Sequence, residues 1–224
     1  MLEMVLKCIG CAIGAYLLGS ISPSLIISDM ILKDDVRKYG SGNAGSTNML
    51  RAFGWQLGII TFVVDILKGV LAAYLSQLIA GQYAMIAASL AVVLGHNFPI
   101  YFKFKGGKGV ATILGVLLVW QLLPTLAILV VCGIVALVTK IISIASILGA
   151  VISMIAVFVF YPDQVIQQIT IVILCVVLII SHKQNISRLI KKEENKITNL
   201  KSYKRDPQKK SSNQISKKNQ QSEM

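Results

Sequence analysis

Acidic side chains are scarce in this sequence: ten Asp and Glu stand against twenty-two Lys and Arg, for a formal net charge of +12. Only Asp34 and Asp35 lie near the polar loops, so a two-carboxylate site for a divalent cation is disfavoured there. Charge of either sign is rare, at 14% of residues, while 55% are apolar and mean hydropathy is +0.71. Those values exclude disorder for the body of the chain and argue against a soluble domain. No Walker A loop is present, because Lys108 of Gly106-Gly107-Lys108-Gly109 is followed by glycine rather than Ser or Thr. No glycine precedes that stretch at the required spacing either, so nucleotide hydrolysis is disfavoured. The loops hold no Ser-His-Asp set, and the chain shows no internal repeat. The four cysteines (Cys8, Cys11, Cys132, Cys175) all sit inside apolar stretches. Cys8 and Cys11 mimic a CxxC pair, but core packing is the better reading than metal or disulfide.

What is present is a series of apolar stretches near the ~20 residues needed to cross hydrocarbon. They cover 4–28, 55–79, 83–101, 109–122, 125–139, 144–160 and 165–180. The first lacks a cleavage-like site and reads as a retained span. Breaks at 33–51, 103–108, Lys140 and from Lys183 onward carry cations, whereas those around Gly81-Gln82, 121–124 and 161–168 carry no Lys or Arg. The positive-inside rule puts the first set in the cytoplasm. The expected fold is an all-α integral membrane protein of the cell (inner or plasma) membrane with seven transmembrane helices. Its N-terminus lies outside, its C-terminus is cytoplasmic, and short cytoplasmic-face loops form the site. Residues 109–139 strain this scheme: two helices of about 21 to 24 Å fall short of a ~30 Å core. Either the bilayer thins there or the pair is a re-entrant hairpin. A membrane domain is expected over 1–190 and a basic, disordered cytoplasmic tail over 191–224. From Lys183 to Met224 twelve Lys and Arg face four Asp and Glu, +8 in all. Attraction to anionic headgroups is the plainer reading of that run than nucleic-acid binding.

Every dense polar cluster then falls on one face. The first loop, Gly40 to Arg51, offers Ser41, Gly42, Asn43, Gly45, Thr47, Asn48 and Arg51; the second offers His96, Asn97, Lys103, Lys105, Gly106, Gly107 and Lys108. Ser143 and Ser146 follow Thr139-Lys140, and His182, Asn185 and Arg188 follow the last apolar stretch. Glycines let a backbone turn its N–H groups inward, and such a nest with Arg or Lys binds phosphate oxygens. Positive-inside cations alone explain the Lys and Arg but not the glycines, asparagines and hydroxyls clustered with them. The pattern predicts a membrane-embedded phosphate-handling site. Asp65 and Lys68 share a helical face inside an apolar stretch, where charges are functional candidates by default. Mutual neutralisation that ties helices together is the simpler reading of that pair. His96, between Gly95 and Pro99 at a helix end, reads as positioning rather than as a proton carrier.

These blocks resemble the bacterial acyl-phosphate:glycerol-3-phosphate acyltransferases, the PlsY family, from the first span to about Ile197. The similarity lies in Gly-Ser-Gly-Asn-x-Gly-x-Thr-Asn-x-x-Arg at 40–51 and Asp-x-x-Lys-Gly at 65–69. It continues in the block from Gly95-His96 to Ala111-Thr112, at Ser143, in His-x-x-Asn-Ile-x-Arg-Leu at 182–189, and in Glu194 before Lys196. Ser46 stands where the family usually has Ala, Ser181 where a basic residue often precedes the His, and Lys192 where Gly is common. The resemblance implies transfer of a fatty acyl group from acyl phosphate to the 1-hydroxyl of sn-glycerol 3-phosphate. Lysophosphatidic acid and phosphate would result, in the first step of phospholipid synthesis. It implies no cofactor and no metal, membrane lipids as surroundings, no nucleic-acid partner, and a monomer. By position, residues 41–48 would cradle phosphate, and Arg51, Lys108, Ser143, His182 and Asn185 would line the reaction site. His96, Lys105, Gly106 and Gly107 would join the substrate-binding set.

An acyl phosphate is already an activated mixed anhydride, so no enzyme nucleophile is needed. Catalysis then comes from placing the hydroxyl and stabilising developing charge. The base is either His182 or a phosphate of the substrate itself, and the substrate-assisted route is favoured. Acyltransferases that use thioesters rely on His-x-x-x-x-Asp, but here His96 is followed at the fifth position by Tyr101 and His182 by Ser187. A phosphate or organophosphate transporter would want polar groups at mid-bilayer, where only Asp65 and Lys68 qualify.

Overall fold

The computed structural model describes residues 1–30 and 33–197, and every regular element in them is helical. Of the expected tail, 198–224 lies outside the described residues. The chain opens with α1 (Leu2–Ser20) and α2 (Pro23–Met30). The continuous first span expected over 4–28 is therefore broken. Ile21 turns to φ −67°, ψ 111°, and Pro23, which has no N–H to donate, starts α2 instead of extending α1. Two carbonyls at the break find a donor elsewhere in the chain: Lys68 Nζ donates to Gly19 O at 3.0 Å and to Ile21 O at 2.9 Å.

A 3-10 turn (Val36–Lys38) and a glycine-rich loop lead to α3 (Ser46–Phe53) and then α4 (Trp55–Asn97). α4 is bent back on itself. Ala80 and Gly81 leave helical geometry, and Gly81 takes φ 72°, ψ −162°, a region essentially reserved for glycine. Asp65 and His96 lie equally far on either side of this break and meet at 3.2 Å. A straight helix would hold them about 46 Å apart. The two limbs run antiparallel, as the separate stretches at 55–79 and 83–101 predict.

After the 3-10 turn Ile100–Phe102 come α5 (Val110–Trp120), α6 (Leu122–Thr139), α7 (Ile142–Phe160), α8 (Val165–Ser181) and α9 (Lys183–Ile190). The break expected at 121–124 contracts to Gln121 alone, at φ −150°, ψ 69°. Pro124 is accommodated in the first turn of α6, where its missing N–H costs no hydrogen bond. In place of two equally short helices, α5 has 11 residues and α6 has 18, about 16 and 27 Å long.

Four stretches are long and apolar enough to cross a membrane: Leu2–Met30, Trp55–Phe102 taken whole, Leu122–Thr139 and Ile142–Phe160. α8 with α9, bent by 56°, makes a fifth. Helices in hydrocarbon gain contact by close backbone approach at small residues. A Cβ on Gly95 would stand 2.2 Å from Tyr16 O of α1, and one on Gly115 would stand 2.1 Å from Ile66 O of α4. Large apolar side chains such as Leu67, Leu137, Ile155 and Phe160 point outward instead. α6 buries only Pro124 and Thr125, as a lipid-facing helix should.

Candidate active site

Four helices begin around one cleft: α3 at Gly45–Ser46, α5 at Gly109–Val110, α7 at Ile142–Ser143, and α9 just after His182. Among the described residues, none of the four starts carries a side-chain cap. First-turn N–H groups lack intrahelical acceptors, and each helix start carries partial positive charge. Such starts around one space favour an anion there, most plainly those of α3, α5 and α7, since α9 runs on from α8 at His182.

The first loop is shaped by Asn48, one turn into α3. Its Oδ1 accepts from Ser41 N–H at 2.9 Å, while Nδ2 donates to Val36 O at 2.9 Å and Tyr39 O at 3.0 Å. Asn48 lines the cleft, yet its carboxamide is spent on holding the loop. Gly40 and Gly42 supply the positive φ values, 56° and 72°, that this tight turn needs.

Arg51 lies one turn further along α3 and is 9% exposed. Its Nη2 donates to Asn195 O at 2.8 Å, and its Nε is buried without a partner. Opposite it, Lys108 Nζ donates to Asn185 Oδ1. Asn185 Nδ2 donates to Glu194 Oε1 at 2.7 Å, and Arg188 Nε donates to Glu194 Oε2 at 2.7 Å. Burial pushes the Lys108 ammonium down to about 8; the nearby Arg188 and Arg51 cations push the same way and Glu194 opposes them. Burial alone would raise Glu194, but hydrogen bonds from Arg188 and Asn185 outweigh it and hold the carboxyl below its ordinary range. Ser143 lies close enough to reinforce that effect, although its buried hydroxyl has no partner of normal hydrogen-bond geometry. His182 Nδ1 is 2.8 Å from Leu178 O. A carbonyl only accepts, so Nδ1 carries the hydrogen and Nε2 is the lone-pair side of the neutral ring.

Among the described residues, Arg51 and Lys108 have no carboxylate ion partner. Arg51 and Ser143, each with a buried donor that lacks a partner, line the same cleft as four helix starts. The cleft measures about 290 Å³, at the lower edge of the ligand-cleft range, and Leu50, Ile59, Phe62 and Ile142 give it an apolar wall.

Of the residues expected at the site, Ser41, Asn43, Gly45, Thr47, Asn48, Arg51, His96, Lys108, Ser143, His182 and Asn185 all line this cleft. Gly42, Lys105 and Gly106 do not. They line a second, neighbouring cleft with Asp35, Arg37 and Lys103. Gly107 lines neither and packs on the His96 ring. The boundary expected after residue 190 is crossed by bonds into the site. Glu194 and Asn195 bind Asn185, Arg188 and Arg51, and Ile197 N–H donates to Lys140 O at 2.8 Å. Glu194 before Lys196, one of the positions that carry the resemblance, was the signal in that stretch.

The profile of the family described as glycerol-3-phosphate acyltransferase matches residues 9–192. A glycerol-3-phosphate acyltransferase of Finegoldia magna is 40% identical over 182 residues, covering 81% of this chain and 92% of that protein. One of Shouchella clausii is 42% identical over 204 residues, covering 87% and 98%. Among solved structures, PlsY (YgiH), an integral membrane glycerol 3-phosphate acyltransferase, in its glycerol 3-phosphate form superposes with a TM-score of 0.79 at 35% identity. That match covers 84% of this chain and 94% of the other. Its lysophosphatidic acid form gives a TM-score of 0.76 over the same shares. With the profile spanning most of its length and relatives of this identity matched nearly end to end, the chain belongs to the glycerol-3-phosphate acyltransferase family.

Proposed function

We propose that this protein transfers a fatty acyl group from acyl phosphate to the 1-hydroxyl of sn-glycerol 3-phosphate, yielding lysophosphatidic acid and phosphate. The observation that carries the reading is the convergence of four uncapped helix starts with Arg51 and Lys108, neither ion-paired among the described residues, on one small cleft. A site of that kind suits phosphate oxygens, and an already activated anhydride needs no enzyme nucleophile. The solved relative with glycerol 3-phosphate and lysophosphatidic acid forms supports the choice of acceptor and product.

In this reading the acceptor oxygen attacks the carbonyl carbon, the bond from that carbon to the phosphate oxygen breaks, and the hydroxyl proton leaves on phosphate. The first loop and the start of α3 hold one phosphate. Arg51 and Lys108 carry the charge that develops on the carbonyl and leaving oxygens, and the Ser143 hydroxyl supplies a further donor. His182 and Asn185 place the glycerol, the His182 lone pair accepting a hydrogen bond from one of its hydroxyls. With His182 as the base instead, that same lone pair would take the proton. The acyl chain extends over the apolar wall towards lipid, since the cleft is too small to enclose it. The helices cross the membrane seven times, counting the limbs of α4 separately, with the N-terminus outside and the site on the cytoplasmic face of the cell membrane. The protein acts as a monomer, and the basic tail beyond the site is drawn to anionic headgroups.

The test is product formation by the purified full-length protein from labelled glycerol 3-phosphate, with palmitoyl phosphate, palmitoyl-CoA and palmitoyl-acyl carrier protein offered separately. Lysophosphatidic acid should form with palmitoyl phosphate alone and be lost in Arg51→Ala. Use of a thioester, or phosphate transport without acyl transfer, would overturn the reading.

A further inference from the structure

Three charged or titratable side chains to which the proposed reaction gives no role sit together, His96 of the expected substrate-binding set among them. Lys68 Nζ is 2.7 Å from Asp65 Oδ1, and Asp65 Oδ1 is 3.2 Å from His96 Nδ1. All three are buried, with exposures of 1% for Asp65, 4% for Lys68 and 5% for His96. Lys68 also holds the two carbonyls at the α1 break, Gly19 O and Ile21 O, so its donors are fully occupied. Asp65 and His96 line the cleft.

A carboxylate facing one imidazole nitrogen suggests a base, but the other nitrogen lies against the backbone of the second loop. A Cβ on Gly107 would stand 2.1 Å from His96 Nε2, so the backbone of Gly107 lies directly on that nitrogen. The His96 and Asn97 carbonyls bind the same loop. His96 O accepts from Gly107 N–H at 3.1 Å, and Asn97 O accepts from Gly106 N–H at 3.2 Å. Lys108 is the next residue, and its Nζ reaches Asn185 across the cleft. An unbroken line of contacts thus runs from the α1 break through Lys68, Asp65, His96 and Gly107 to Lys108.

We infer that Asp65, Lys68 and His96 form a buried positioning unit that seats the Gly106-Gly107 backbone and so fixes where the Lys108 ammonium stands. Lys68 holds Asp65, the Asp65 carboxylate stands 3.2 Å from the His96 ring, and the ring is the surface on which Gly107 rests. Glycine is required there because any side chain would occupy the space of the imidazole. These three are positioning residues, since none needs to touch the reacting atoms. The inference rests on the acyltransferase reading for its kinetic arm only.

The experiment compares wild type, His96→Gln and the paired variant Asp65→Asn/Lys68→Met in the purified full-length protein. The paired variant strands no buried charge and so leaves the fold testable where Asp65→Asn alone would not. The first readout is the pH profile of Lys108 labelling by an amine-reactive reagent, read by peptide mass spectrometry and independent of activity. Its midpoint, about 8 in wild type, should move up in both variants as Lys108 leaves its buried seat. The second is the kinetic split. KM for glycerol 3-phosphate should rise by about tenfold while kcat changes by less than about threefold. Unmoved labelling together with wild-type kinetics in folded variants would reduce the unit to helix glue and overturn the inference. A collapse of kcat at unchanged KM in His96→Gln would overturn it too, by making His96 a proton carrier. If wild type itself makes no lysophosphatidic acid, the acyltransferase reading fails while the labelling arm still decides the positioning unit.

Discussion

Lys108 carries a charge that depends on conditions. Its burial among Arg188, Arg51 and Glu194 brings the ammonium down to about 8. A lysine whose protonated form binds phosphate is active below that value and loses its charge above it. The kcat/KM for glycerol 3-phosphate, which reports the free enzyme, should therefore fall roughly tenfold per pH unit above about 8. In Lys108→Arg that alkaline limb should vanish from the accessible range, because a guanidinium stays charged past pH 12. A profile flat to pH 10 in wild type would mean that Lys108 is not the phosphate cation. For His182, truncation to Ala should raise the KM for glycerol 3-phosphate by about tenfold or more with kcat little changed; loss of kcat at constant KM would mark it as the base. Most of these side chains were legible in the sequence, because glycine, asparagine, hydroxyl and cation clusters are costly to keep at a membrane face without a ligand. Asn48 illustrates the limit. Its place in the first loop was clear, but only the fold shows its amide committed to Ser41, Val36 and Tyr39. Glu194 was visible only through the resemblance, since Glu193-Glu194 in a lysine-rich stretch reads as tail until Asn185 and Arg188 close on Glu194.

At the scale of elements, α4 depends on one residue. Gly81 turns the helix back at φ 72°, ψ −162°, with no atom within 4 Å of where a Cβ would point. Gly81→Ala should therefore act through backbone strain alone and cost about 1–3 kcal/mol, read as a lowered Tm at near-normal activity. Unchanged stability would contradict the turn geometry. The Gly81-Gln82 break was visible in the sequence because polar, flexible residues interrupt an apolar run. The break at Ser22-Pro23 was not, since apolar and small residues surround it and the donor for its freed carbonyls, Lys68, is supplied by another helix. The unequal lengths of α5 and α6 were equally invisible, because a single Gln121 makes the turn and Pro124 fits a first helical turn.

In the whole molecule, helix direction is the organising feature. Short elements on one face let α3, α5, α7 and α9 all start at the same cleft, so backbone dipoles and N–H groups supply much of the positive potential. Arg51 and Lys108 complete it, and outward-facing apolar side chains keep that end of the bundle next to lipid. On the proposed reading the site holds both phosphates at once and the hydroxyl attacks the anhydride directly, with no covalent intermediate. The measurement that tests this most directly is initial velocity in nanodisc-embedded enzyme with acyl phosphate and glycerol 3-phosphate varied together. Intersecting double-reciprocal lines, the mark of a complex containing both substrates, are the predicted result. Parallel lines with a trappable acyl-enzyme, the ping-pong pattern, would contradict it.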